Sequence, residues 1–307
     1  MAFPVAVLQP DVEPGAVEEN RQTITRLTAE AAAGGARLIA LPEACVCDIY
    51  RGAQKLAETI PGPTTDMLQR VAGNAIVALP LLEKKDGNVF SSCALVAADG
   101  VKGVARKTHL YRDATGHDAY QDAEVIAAGD KLSVIDLGEI KVGVLLGFDA
   151  EFPEAFRTLA LRGADLVVVA LNTLEPDRAF LSSMALRNRL PLLVANRLGF
   201  KKVYPTVPEL TAMSQSLLQD KEGAFLARAK GSSVIIDESG RIAAEPGSAA
   251  QRDLEDLAGV PERMRIPQAH FQEETTLKAS FKLDELRVQR LSTPFIAERR
   301  EALYGSS

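Results

Sequence analysis

Residues 141–154, KVGVLLGFDAEFPE, constrain this chain more than any other stretch. An apolar run over 142–146 stops at Gly147-Phe148-Asp149, and Pro153-Glu154 opens an amphipathic segment that closes on Arg162-Gly163. That pattern predicts a buried strand, a sharp elbow and a helix start. In α/β proteins the carboxyl end of a strand leading into a helix displays reactive side chains, because the loops there converge on a crevice that a rigid sheet supports. The residue at the tip of this elbow is Gly147, which has no side chain.

The same alternation runs through the chain. Residues 3–9 predict a strand, and Val17, Ile24, Leu27 and Ala31 recur at helical spacing before a Gly34-Gly35 stop. Residues 37–41 predict a second buried strand ending on Pro42-Glu43. A helix over 63–72, a strand over 75–82 and a hairpin of 89–97 with 101–107 around Asp99-Gly100 follow, delivering Arg106-Lys107-Thr108-His109-Leu110 at its end. Residues 111–130 show no clean period and predict a loop. Strands are then expected at 131–137, 140–146, 166–171 and 192–196, with helices at 155–162 and 178–189.

Residues 200–224 are a mixed insertion suited to a flap, and 232–237 with 241–244 predict a second hairpin around Glu238-Ser239-Gly240. Residues 249–272 are polar and irregular, before a last strand at 275–281 and a helix from 284 to 289. Strands alternating with helices predict sheets with helices on their outer faces. With no internal repeat or linker, one domain over 1–307 is expected.

Composition narrows the function classes. Hydrophobic content of 47% with 25% charged residues is that of a globular protein. A net charge of -6 without a basic stripe argues against nucleic-acid or acidic-lipid partners. The pairs Lys84-Lys85, Lys201-Lys202 and Arg299-Arg300 read as solvated faces. No apolar run reaches the roughly 18–20 residues of a membrane span, and MAFPVAVLQP reads as a first strand, so a cytoplasmic location is expected. Three cysteines, Cys45, Cys47 and Cys93, are too few and too oddly placed for a disulfide framework, and Cys45-Val46-Cys47 without a nearby His does not suit a metal. They are expected as reduced, buried thiols.

Six segments, in order, carry a resemblance over nearly the whole chain: LIALPEA at 38–44, RKTHLY at 106–111, GVLLGFDAEFPE at 143–154, LALRGADLVVV at 159–169, VANRLG at 194–199 and GSSVIID at 231–237. The chain resembles the nitrilase superfamily, carbon-nitrogen hydrolases that cleave nitriles, amides and carbamoyl groups with a Glu-Lys-Cys triad. The resemblance implies an α/β fold of four layers, an α-β-β-α sandwich, and a homodimer joined through the helices after the elbow and the Arg178 region. A small-molecule ligand is expected, with no cofactor and no metal.

Carried over residue by residue, Glu43 matches the general base and Lys107 the cation that stabilises the tetrahedral intermediate. Asp122 falls on or near a second glutamate, one methylene shorter. Phe148, Asp149, Glu151 and Asn172 are the implied substrate-binding positions. Chemically, a thiol needs a neighbouring base to become a thiolate, and the oxyanion formed on attack needs a cation or N–H donor in a dry pocket.

The family's cysteine falls on Gly147. Its Ala-x-Glu-Asn pattern reads Ala185-Leu186-Arg187-Asn188, and its Tyr-Asn-Ser reads Phe90-Ser91-Ser92. Glycine is permissive at a strained turn and is expected to leave space, for water or a small ligand, where the sulfur would sit. Cys45 and Cys47 lie off the elbow and are expected in structural roles. His109 is expected to position its neighbours, and His117 has no assignable role. Three readings stay open: a drifted relative without thiol hydrolysis that binds a small amide, carboxylate or related metabolite or acts as a subunit or scaffold, an amidase or nitrilase whose cysteine was replaced by Gly147, and an enzyme of Cys-independent chemistry with Glu43 as base.

Overall fold

A computed structural model describes residues 2–112, 121–204, 224–246 and 273–293, with 296, 298–300 and 303 beyond them. The chain runs β1 (Ala2–Gln9), α1 (Val17–Ala33), β2 (Leu38–Ala40), α2 (Pro63–Val71), β3 (Ile76–Lys85), β4 (Asn88–Ala97) and β5 (Gly100–Arg106). It continues as β6 (Ser133–Asp136), β7 (Lys141–Leu146), α3 (Pro153–Leu161), β8 (Leu166–Ala170), α4 (Arg178–Asn188), β9 (Leu192–Ala195) and β10 (Leu198–Val203). Then come β11 (Phe225–Lys230), β12 (Val234–Ile236), β13 (Ile242–Ala244), β14 (Thr275–Lys282) and α5 (Leu283–Leu291).

Two six-stranded sheets form, in the orders β14-β1-β2-β3-β4-β5 and β13-β12-β9-β8-β7-β6. Each has three parallel central strands, β1-β2-β3 and β7-β8-β9, flanked by antiparallel ones. Strand periodicity decides the layers, because successive side chains point to opposite faces. Val5, Val7, Leu38 and Ala40 meet Val142, Val144, Leu146, Leu166 and Val168 between the sheets. Their neighbours Ala6, Leu8, Ile39 and Leu41 pack instead with Ile24, Leu27 and Leu68 of α1 and α2. On the second sheet Leu145, Val167 and Val169 pack with Phe156, Leu159 and Leu181 of α3 and α4. Helix, sheet, sheet and helix therefore stack as the four-layer α-β-β-α sandwich.

Most expected elements appear within a few residues of their expected ends. Three differences matter. Strand β3 runs on to Lys85 and pairs with β4 around Asp86 and Gly87, both in the left-handed region at φ 49 and 81. Residues 147–151 form a tight 3₁₀ turn, so that α3 starts at Pro153. Finally, the start of the expected flap is strand β10, which pairs antiparallel with β11 as a separate ribbon. Residues 205–223, the polar segment 249–272 and His117 lie outside the described residues. No described helix is long and apolar enough to cross a membrane.

Candidate functional site

Strands from both sheets end at one cavity of about 420 Å³. Strand β2 leads through Leu41-Pro42 to Glu43, β5 ends immediately before Lys107, and β7 ends immediately before Gly147. Glu43, Lys107, Asp122 and Gly147 all line this cavity. The sandwich thus brings together four positions that are distant in sequence.

Backbone hydrogen bonds hold the framework. Glu43 N–H donates to the Leu171 carbonyl at 3.1 Å, tying the first sheet's strand tip to the second sheet's. Lys107 N–H donates to Ser91 O at 2.9 Å, and Gly129 N–H to Lys107 O at 2.7 Å. Asp122 begins a short 3₁₀ turn and exchanges bonds with Tyr111: its N–H donates to Tyr111 O at 2.9 Å, and its carboxylate accepts from Tyr111 N–H at 2.8 Å.

Three ionisable groups are buried together here. Lys107 Nζ lies 2.6 Å from Asp122 Oδ2 and 3.3 Å from Glu43 Oε1. All are buried, with 2%, 3% and 4% of Glu43, Lys107 and Asp122 exposed. Burial, reinforced by the Asp122 charge, pushes the Glu43 carboxyl upward, although Lys107 and the Ser91 hydroxyl oppose the shift. Burial also opposes the Lys107 charge, but Glu43 and Asp122 prevail and hold the ammonium above its ordinary value. The lysine stays a cation, and Glu43 becomes the carboxyl that holds a proton more tightly. Ser91, within Phe90-Ser91-Ser92, donates to Glu43 Oε1 at 2.8 Å.

Gly147 overturns one expectation. Its φ of 48 is left-handed, which favours glycine, yet the space beside it is not open. A Cβ built there would overlap Glu43 Oε2 and lie 2.8 Å from Lys107 Nζ and 3.0 Å from Glu43 Cδ. The carboxylate and ammonium close over the glycine and fill the place where space was expected. Ala44 and Asp48, at φ 51 and 65, put two further left-handed turns just after Glu43. Such backbone is held only where its surroundings over-determine it.

The remaining implied positions divide. Phe148, Glu151 and Asn172 line the cavity. Phe148 packs edge-on against Tyr111 and Phe152 at centroid distances of 5.6 and 5.2 Å. Asp149 does not line it, which corrects its expected substrate contact. Its buried carboxylate accepts from Thr108 N–H at 3.1 Å, Thr108 Oγ1 at 2.7 Å, and His109 N–H and Nδ1 at 2.8 Å each. These bonds clamp the elbow to the loop carrying Lys107. His109 also stacks on Phe152 at 4.0 Å.

Arg187 is exposed on α4 and lines no part of the cavity, so its departure from the family pattern does not touch the site. None of the cysteines lines it either. All three thiols are buried, and burial pushes Cys45 and Cys93 well up and Cys47 to about 12. Among the described residues no group of His, Cys, Asp and Glu could hold a metal ion.

Sequence reasoning missed two features. Lys201 and Lys202 line the cavity and are partly buried, against the expectation of a solvated face. Their strand, β10, belongs to the ribbon beside the cavity, and no local pattern reveals that placement. The second feature is a fully buried ion pair, Arg197 with Asp48 at 3.0 Å. Asp48 Oδ1 accepts from Asn172 Nδ2 at 2.7 Å, and the Arg197 guanidinium donates to the carbonyls of Val12 and Phe200. Arg197 lies within VANRLG at 194–199, the signal that could have marked it.

Comparison with known proteins agrees with this architecture. A carbon-nitrogen hydrolase from Helicobacter pylori G27 superposes with a TM-score of 0.72 at 19% identity, covering 99% of this chain and 97% of that one. Nit3 of Saccharomyces cerevisiae gives 0.68 at 19% identity over 97% of both chains. In sequence, omega-amidase NIT2-A of Xenopus laevis is 30% identical over 262 residues, 81% of this chain and 88% of that protein. A nitrilase of Pyrococcus abyssi is 34% identical over 206 residues, 63% of this chain and 71% of that protein. Residues 4–254 match the carbon-nitrogen hydrolase family, and on that match and these relatives the chain belongs to it, within the nitrilase superfamily.

Proposed function

We propose that this chain is a drifted carbon-nitrogen hydrolase homologue that has lost thiol hydrolysis and binds a small amide- or carboxylate-type molecule above Gly147. The observation that carries this reading is a glycine, with no nucleophilic side chain, at the point where Glu43 and Lys107 converge, their charged ends taking the place beside it. Here the two charged groups pack onto the glycine and onto each other. Retention of a cavity with polar and apolar lining supports a binding role. Cytoplasmic residence, a single domain and a homodimer joined through α3 and the Arg178 end of α4 belong to the same proposal; a strictly monomeric mass in light scattering at micromolar concentration would remove the dimer.

The test is Gly147→Cys. On this reading the new thiol reacts with an alkylating agent faster than Cys45, Cys47 or Cys93, which are buried with raised pKa values. Turnover of simple amides and nitriles stays low, because a nucleophile displaced by about 1 Å loses on the order of a hundredfold in rate. Rapid hydrolysis of a broad amide panel, with acyl-enzyme visible by mass spectrometry, would refute the drift and restore the reading of a hydrolase that merely lacks its cysteine. A thiol at 147 no more reactive than Cys93 would refute the placement of Gly147 at the nucleophile's position.

A further inference from the structure

The cavity contains two lysines in opposite electrostatic situations. Lys107 is neutralised within the protein by Glu43 and Asp122 at 3.3 and 2.6 Å. Lys201 enters from β10, and among the described residues its ammonium has one hydrogen-bond partner, the Asn172 carbonyl oxygen at 2.5 Å. No described carboxylate lies within ion-pair distance of it. A carbonyl supplies only a partial negative charge, so a half-buried ammonium held this way at the cavity wall is under-compensated. Burial accordingly pushes Lys201 down, with Arg197 and Lys107 adding to the effect and Asp48 and Glu43 opposing it.

The lysine is also held in place. Asp48 grips the Asn172 side chain at 2.7 Å, while its ion-pair partner Arg197 donates to the carbonyl of Phe200, the residue before Lys201. The buried pair therefore fixes both the acceptor that Lys201 touches and the strand that carries it. Other acidic groups of the cavity are engaged elsewhere or exposed. Glu175 pairs with Lys230 at 2.6 Å, Asp177 caps α4 through Phe180 N–H at 2.9 Å, and Glu151 faces solvent. Ile49, Leu171, Leu174 and Val203 supply apolar lining.

We propose that Lys201 is the anion anchor of this cavity, and that the ligand is a small carboxylate whose acid group pairs with the Lys201 ammonium while its apolar body lies along Leu171 and Leu174. This rests on the binding role proposed for the chain and names the chemistry of what is bound. It also divides the work of the two lysines. Lys107, enclosed by its own carboxylates, holds the floor together, and Lys201 recognises charge.

Calorimetric titration of the full chain with hexanoate, hexanamide and hexylamine tests the assignment. Hexanoate is expected to bind at least about tenfold more tightly than hexanamide, and hexylamine least. Lys201→Met should weaken hexanoate by at least about tenfold and leave hexanamide within about threefold, while Lys201→Arg retains most hexanoate affinity. Lys201→Gln serves the same arm if the methionine variant does not fold. Hexanoate affinity unchanged in the neutral variant, or hexanamide binding the wild type as tightly as hexanoate, would overturn the anchor and leave a binding role standing. Failure of all three probes to bind would overturn both.

Discussion

Replacing Gly147 with alanine asks whether the Glu43 carboxylate really occupies the place that a side chain there requires. Two costs follow from the geometry. The backbone at φ 48 is left-handed, and a Cβ in that region costs about 1 kcal/mol. The added methyl would overlap Glu43 Oε2 and sit 2.8 Å from Lys107 Nζ, so Glu43 must swing away. That movement breaks the 2.8 Å bond from Ser91 and lengthens the 3.3 Å pair with Lys107. Losing a buried, charge-assisted hydrogen bond costs on the order of 2 kcal/mol. Gly147→Ala should therefore lower the unfolding free energy by about 3 kcal/mol. Equilibrium urea unfolding of Gly147→Ala, Glu43→Ala and the double variant separates the terms. Without the carboxylate only the backbone cost of about 1 kcal/mol should remain, giving a coupling of about 2 kcal/mol between the two positions. Equal cost in both backgrounds, or a single-variant loss below about 0.5 kcal/mol, would refute the argument that Glu43 fills this space.

Other expectations follow from the same contacts. Lys107→Met strands two buried carboxylates and should cost about 3–5 kcal/mol in chemical denaturation, partly recovered when Glu43→Gln removes one of them; unchanged stability would mean that Lys107 is not enclosed. Asp149→Ala leaves the N–H groups of Thr108 and His109 without an acceptor and should cost about 3 kcal/mol, whereas a ligand contact would weaken binding and leave stability alone. Burial raises Glu43 in the folded state, so the folded protein binds that proton more tightly than the unfolded chain. The stability it contributes is full below the unfolded carboxyl range and is lost as pH rises through the folded value. Relative to Glu43→Gln, the wild type should lose unfolding free energy as pH rises from about 4; a wild type that gains over that interval would reverse the sign.

Local sequence determined a good deal. The apolar runs at 142–146 and 166–171 become β7 and β8 because a fully buried strand must be apolar on both faces. Pro63 and Pro153 open helices because a proline at the first helical position removes only an N–H that would lack an intrahelical partner. Glu43 was legible as a candidate site residue because a charge just past the apolar strand β2 is out of keeping with its surroundings, and Lys107 through the ordered motifs that place both in one family. Gly147 could be read as the elbow's tip from its position between run and helix.

Tertiary structure decided what those positions do. Whether glycine leaves a space or is closed over depends on rotamers of side chains 104 and 40 residues away in sequence, Glu43 and Lys107, which no local pattern encodes. Asp149 looks like a ligand contact from its place on the elbow; only the fold turns its carboxylate onto Thr108 and His109. Lys201 and Lys202 read as a solvated pair because adjacent lysines usually are, yet the β10-β11 ribbon sets both beside the cavity. Periodicity and turn chemistry act over a few residues and specify elements. Long-range packing converts those elements into a site, by choosing which charges must share one buried space and which line the cavity.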